Sequence, residues 1–134
     1  MRLTKVIRIF SIVLLIFLGI GAVYGGGTLV IDPSGELLGL PLYVLDDTLF
    51  VDFMIPGIIL LLFIGLLSLV IAFITLKKSS NYRWLIIFQG LVLLIWLTVE
   101  ILMGIFDPFF HFTYYATGVL LVICGILLIK IEKR

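Results

Sequence analysis

FMIPGIILLLFIGLLSLVIAFITL (53–76), KKSSNYR (77–83) and WLIIFQGLVLLIWLTVEILMGI (84–105) follow one another without a break. The first and third stretches reach the ~20 apolar residues a helix needs to cross a hydrocarbon core. The middle one is short and polar, with Ser79, Ser80 and Asn81 as turn formers, so the two helices must fold back beside each other. Two further apolar runs flank this pair, at about 6–26 and 112–129. The sequence therefore predicts an all-α membrane protein, an antiparallel bundle of four transmembrane helices. Loops are expected at 27–52 and 106–111 on one side and 77–83 on the other, with a tail at 130–134. Residues 1–134 read as a single membrane domain.

The basic residues orient this bundle. Arg2, Lys5 and Arg8 precede the first run; Lys77, Lys78 and Arg83 sit between the second and third; Lys130, Lys133 and Arg134 follow the fourth. The other two connections carry Asp32, Glu36, Asp46, Asp47, Asp52 and Asp107 and no Lys or Arg. Cytoplasmic loops are the ones enriched in Lys and Arg, so both termini are expected in the cytoplasm, in a multi-pass protein of a bacterial inner membrane. The basic start and apolar first run resemble a signal peptide, but the run is long enough to span and is read as a retained helix.

Composition narrows the function. The chain is 63% hydrophobic and 13% charged, with a mean hydropathy of +1.40, against roughly half apolar and a quarter charged in soluble domains. Beyond the juxtamembrane clusters there is no basic patch, so nucleic acid is not an expected partner; membrane lipid is. Cys124 is the only cysteine and His111 the only histidine. A paired-thiol redox site and a multi-His or multi-Cys metal site are both excluded, and no cofactor is expected.

The connection 27–52 is the unusual part. Gly25-Gly26-Gly27 is expected to end the first helix, and Asp32-Pro33-Ser34-Gly35 to form a type I turn. Leu37 to Leu45 is too apolar for water and too broken by Gly39 and Pro41 to span. It is expected to lie at the outer interface as a hydrophobic lid over the bundle.

Small residues gather on faces. Gly57, Gly65, Ser68 and Ala72 share a face of the second helix and are expected to pack against a neighbour, as small residues do between membrane helices. On the third helix Gln89, Trp96 and Glu100 fall within about 40° of one another. Glu100 is the ionisable residue inside an apolar run, and an acid at that depth is a functional-site candidate. Asp107 and His111 follow in the next loop, where they can approach Glu100 from above. Gln89, Trp96, Glu100, Asp107 and His111 are thus the candidate ligand-binding residues.

Asp32-Pro33-Ser34-Gly35, Leu38-Gly39-Leu40-Pro41, Phe50, Asp52-Phe53 and Ile55-Pro56-Gly57 together resemble a pattern in a family of small bacterial four-helix integral membrane proteins of unknown function. Trp96, Val99-Glu100 and the aromatic segment Phe109 to Tyr115 extend the resemblance over nearly the whole chain. It implies the four-helix fold and no particular reaction.

Three functions stay open. The first, and the leading expectation, is an accessory or structural subunit packing, through its small faces, on a membrane-protein partner or a second copy of itself. The second is a binder of a lipid, quinone or other amphipathic molecule around Glu100. The third, less favoured, is an outer-leaflet enzyme using Glu100 and His111 as acid and base. No Ser–His–Asp order or phosphate loop supports a specific reaction, and no catalytic residue is assigned.

Overall fold

The computed structural model describes residues 2–46, 48–79, 81–105 and 107–132. Asp47, Ser80, Lys133 and Arg134, named above for their charge or turn chemistry, lie outside the described residues. Four helices are long and apolar enough to cross a membrane: α1 (Arg2–Ile31), α2 (Met54–Leu76), α3 (Tyr82–Leu102) and α4 (Pro108–Glu132). Two short 3-10 turns, Glu36–Leu38 and Leu42–Leu45, lie between α1 and α2, and no strand occurs among the described residues.

No more than a third of each helix's most apolar stretch is buried inside the protein. Ile20, Phe63, Ile95 and Phe112 all point outward and are exposed. In water such a surface would be far beyond the apolar patch a monomer tolerates. In lipid it is the required surface, and helix association must then come from close packing and hydrogen bonds.

Glycine supplies the close packing. A Cβ on Gly26 of α1 would stand 2.5 Å from the backbone nitrogen of Leu61 and 2.8 Å from the Gly57 carbonyl. A Cβ on Gly57 would meet that of Leu29 at 2.7 Å, and one on Gly65 would meet the Val23 nitrogen at 2.9 Å. The α3–α4 contact is built the same way: a Cβ on Gly90 would lie 2.8 Å from the Gly118 carbonyl. Gly25-Gly26-Gly27 accordingly does not end α1, which continues to Ile31. The absent side chain at Gly26 serves backbone contact with α2.

Several polar side chains inside the bundle bond locally or across a helix pair. Ser11 and Thr75, both fully buried, donate back to the carbonyls of Ile7 and Ile71. Gln89, also fully buried, reaches across to α2. Its Nε2 donates to Ser68 Oγ at 2.7 Å and to the Phe63 carbonyl at 3.0 Å. That carbonyl is free to accept because α2 is wound as a π-helix over Leu60–Leu66, where the Leu67 amide bonds to Leu62 rather than to Phe63. Thr98 and Tyr115 join α3 to α4 through their hydroxyls, 2.9 Å apart.

Helices α2 and α3 end in the same backbone motif with different residues. At the end of α2 the Lys78 amide bonds to Thr75 and the Ser79 amide to Ile74. At the end of α3 the Gly104 amide bonds to Ile101 and the Ile105 amide to Glu100. Both put one residue in the left-handed region, as Schellman ends do. In α3 it is Gly104, at φ 88°; in α2 it is Lys78, at φ 54°. A lysine there costs roughly 1 kcal/mol more than a glycine.

The Asp32–Gly35 turn closes with the Gly35 amide on the Asp32 carbonyl at 3.1 Å. Asp32 Oδ1 accepts from the Ser34 hydroxyl and Oδ2 from the Leu37 amide. These bonds hold the Asp32 carboxyl below its ordinary pKa. The Phe53 amide returns to the Pro33 carbonyl at 2.8 Å, so the two ends of the connection meet. Beneath them Leu29, Leu45 and Phe53 form a second small core, with Leu38, Leu40, Val44, Phe50, Met103 and Ile105 packed on it.

Candidate functional site

The end of α3 decides where Glu100 sits. Gly104 turns the chain, and Asp107 then caps α4: its Oδ1 accepts from the amides of Phe109 and Phe110 at 3.0 and 3.3 Å. Pro108 is the first helical residue, a position where the missing N–H costs nothing. Helix α4 therefore begins ahead of the span expected at 112–129, and His111 lies in its first turn instead of in a loop.

That turn aims the His111 ring at Glu100. The ring is almost fully buried, with Nε2 3.8 Å from Glu100 Oε1. Nδ1 is 3.2 Å from both the backbone nitrogen and the carbonyl of Asp107. If the amide donates, Nδ1 is unprotonated and Nε2 presents an N–H toward Glu100. If Nδ1 donates to the carbonyl, Nε2 presents a lone pair. The Glu100–His111 distance is an ion-pair separation, too long for a direct hydrogen bond. Glu100 keeps 22% of its side chain exposed, so the carboxyl can be reached from outside the packed interior.

Both residues face a cavity of about 500 Å³, a size typical of small-molecule sites. Leu18, Gly21, Ala22 and Gly25 of α1 form one wall, Leu60 and Ile64 of α2 a second, and Leu93, Trp96 and Leu97 of α3 a third. Phe110 and Tyr114 come from α4, while Leu38 and Leu40 reach in from the α1–α2 connection. The wall is mainly apolar. Its polar groups are Glu100, Asp107, His111 and the rings of Tyr24, Trp96 and Tyr114. Trp96 Nε1 is buried and has no hydrogen-bond partner among the described residues.

Of the five residues expected to bind a ligand, Trp96, Glu100, Asp107 and His111 come together around this cavity. Gln89 does not reach it. It braces the π-helical turn of α2 whose Leu60 and Ile64 line the cavity. Among the expected packing residues, Gly57 and Gly65 meet α1, and Ser68 accepts from Gln89. Ala72 is buried in the main core.

Tyr114, not among the expected ligand-binding residues, faces the cavity and stacks on Phe17 at 5.6 Å. Gly21 and Gly25 were also missed as cavity wall. Their spacing of one helical turn was the available signal, since two missing side chains on one face leave either a close contact or a hollow. No protein-family profile matches the chain, and no curated protein or solved structure is significantly similar to it.

Proposed function

We propose that this chain is a multi-pass membrane protein that binds an amphipathic small molecule, of lipid or quinone type, in the cavity around Glu100. The observation that carries this reading is the cavity itself: an apolar hollow lined by Trp96, with Glu100 and His111 among its few polar residues. The apolar walls suit a hydrocarbon tail or ring, and the polar groups suit a carbonyl or hydroxyl head.

The helices form an antiparallel bundle with both termini on the cytoplasmic side of a bacterial inner membrane, in keeping with the placement of Lys and Arg. Leu38 and Leu40 belong to a hydrophobic lid that covers the outer end and roofs the site. The accessory-subunit reading drew on small faces, yet Gly26, Gly57, Gly65, Gly90 and Gly118 spend those faces on contacts within the chain. The enzyme reading needs a reaction between Glu100 and His111 and a substrate, whereas binding needs only the groups already present.

The test is fluorescence of Trp96 in a Trp84→Phe background, titrated with a short-chain isoprenoid quinone and, separately, with a lysophospholipid. Saturable quenching or a spectral shift with either probe, lost in Glu100→Ala, is the expected result. An indole signal that ignores both probes would count against the proposal.

A further inference from the structure

We infer a second site, for a phosphate group, in a basic cleft at the opposite end of the protein from Glu100. A hollow of about 420 Å³ opens there between the start of α1, the α2–α3 turn and the end of α4. Its wall carries Lys5, Arg8, Lys78 and Arg83 together with Tyr82 and Glu132.

The local pairing leaves this cleft positive. Glu132 accepts from both the Tyr82 hydroxyl and Arg83 Nη1, so the one carboxylate present is already committed. Lys5, Arg8 and Lys78 have no ion pair among the described residues. Two elements distant in sequence, α1 and the α2–α3 turn, thus bring uncompensated cations to one concave place. Lys5 and Arg8 lie one turn apart on the same face of α1, where like charges repel. Lys78 occupies a left-handed position that glycine fills at the end of α3. The Lys5–Arg8 pair is unfavourable on its own, and an anion in the cleft offsets its repulsion while drawing on the Lys78 charge as well. Arg83, paired with Glu132 through Nη1, keeps further N–H donors suited to phosphate oxygens. Tyr82 is almost fully buried and makes a firm floor.

Exposed Leu3, Val6 and Trp84 flank the cleft in sequence, which places it at the level where lipid headgroups meet the apolar surface. Basic pockets between helices at the cytoplasmic side are where anionic headgroups lodge. A lipid phosphodiester and a free phosphate ester share this chemistry, and the experiment separates them.

Native mass spectrometry of the full chain in mild detergent would be titrated with phosphatidylglycerol, with phosphatidylcholine and with inorganic phosphate. The key variants are Lys78→Gly and Arg8→Gln. Glycine is the favoured residue at the left-handed position, so Lys78→Gly keeps the fold while removing a charge. Phosphatidylglycerol should bind more tightly than phosphatidylcholine, and each variant should weaken it about fivefold, as expected for one cation at a membrane surface. Displacement of the lipid by inorganic phosphate, with the same dependence on Lys78 and Arg8, would assign the site to free phosphate esters. Equal affinity for the two lipids with no effect of phosphate, or full affinity retained in both variants, would overturn the inference.

Discussion

Glu100 Oε1 stands 3.8 Å from His111 Nε2, and a Gly104 turn followed by an Asp107 cap is what brings them together. The carboxyl belongs to the last turn of one helix and the imidazole to the first turn of the next. Their meeting is a consequence of how two helices end and begin. The groups that would read a ligand's polar head are therefore held by backbone geometry.

Filling the cavity should separate binding from stability. Gly25 lines it, and a Cβ there would meet Leu60 Cδ2 at an ordinary 3.5 Å. Gly25→Leu should raise helix stability by about 0.5–1 kcal/mol while removing the ligand-dependent Trp96 signal. Thermal unfolding in detergent and the fluorescence titration together check both halves.

Adjacent glycines of α1 should respond with opposite sign. Alanine at Gly26 would press on Leu61 and Gly57 of α2 and should destabilise by about 1–3 kcal/mol. Alanine at Gly27 meets nothing within 4 Å and should stabilise by about 0.5–1 kcal/mol. Equal effects from the two would mean that α1 and α2 do not approach as described.

Gln89→Leu should destabilise by about 1–2 kcal/mol, because it removes the donor to Ser68 and strands the Phe63 carbonyl. Ser68→Ala, which leaves Gln89 its backbone partners, should cost only about 0.6 kcal/mol. Reversible unfolding in mixed micelles gives both values. A smaller loss in Gln89→Leu than in Ser68→Ala would deny Gln89 its bracing role.

The turn after α1 should have a pH threshold. Asp32 is held below its ordinary value of 3.8 by the Ser34 hydroxyl and the Leu37 amide. A depressed carboxyl contributes its stabilisation in full above the unfolded value and loses it as pH falls through the folded one. Protection of the Leu37 amide from hydrogen exchange should thus hold down to about pH 4 and fall only below that. In Asp32→Asn the acid-dependent step should vanish.

Much of this architecture was legible in the sequence, because membrane spans are written in length and hydropathy. The helices at Met54–Leu76 and Tyr82–Leu102 follow directly from runs of apolar residues around Lys77 to Arg83. Glu100 stood out because charge inside an apolar run is costly. What was not legible depends on neighbours. Gly25-Gly26-Gly27 carries the composition of a helix end, and only the backbone of α2 at Leu61 explains why the helix continues. Gln89 and Glu100 share a helical face, yet the π-helical turn at Leu60–Leu66 draws Gln89 toward Phe63 and away from the cavity. Periodicity assigns a residue to a side of its helix, and the shape of the facing helix decides what it touches.

The most direct test of the binding account is native mass spectrometry of the protein extracted gently from its own membrane, comparing wild type with Gly25→Leu and Glu100→Gln. The account predicts one bound amphipathic molecule on the wild type, absent from Gly25→Leu and depleted in Glu100→Gln. The same molecule retained equally by all three, or a wild type that carries none, would contradict it.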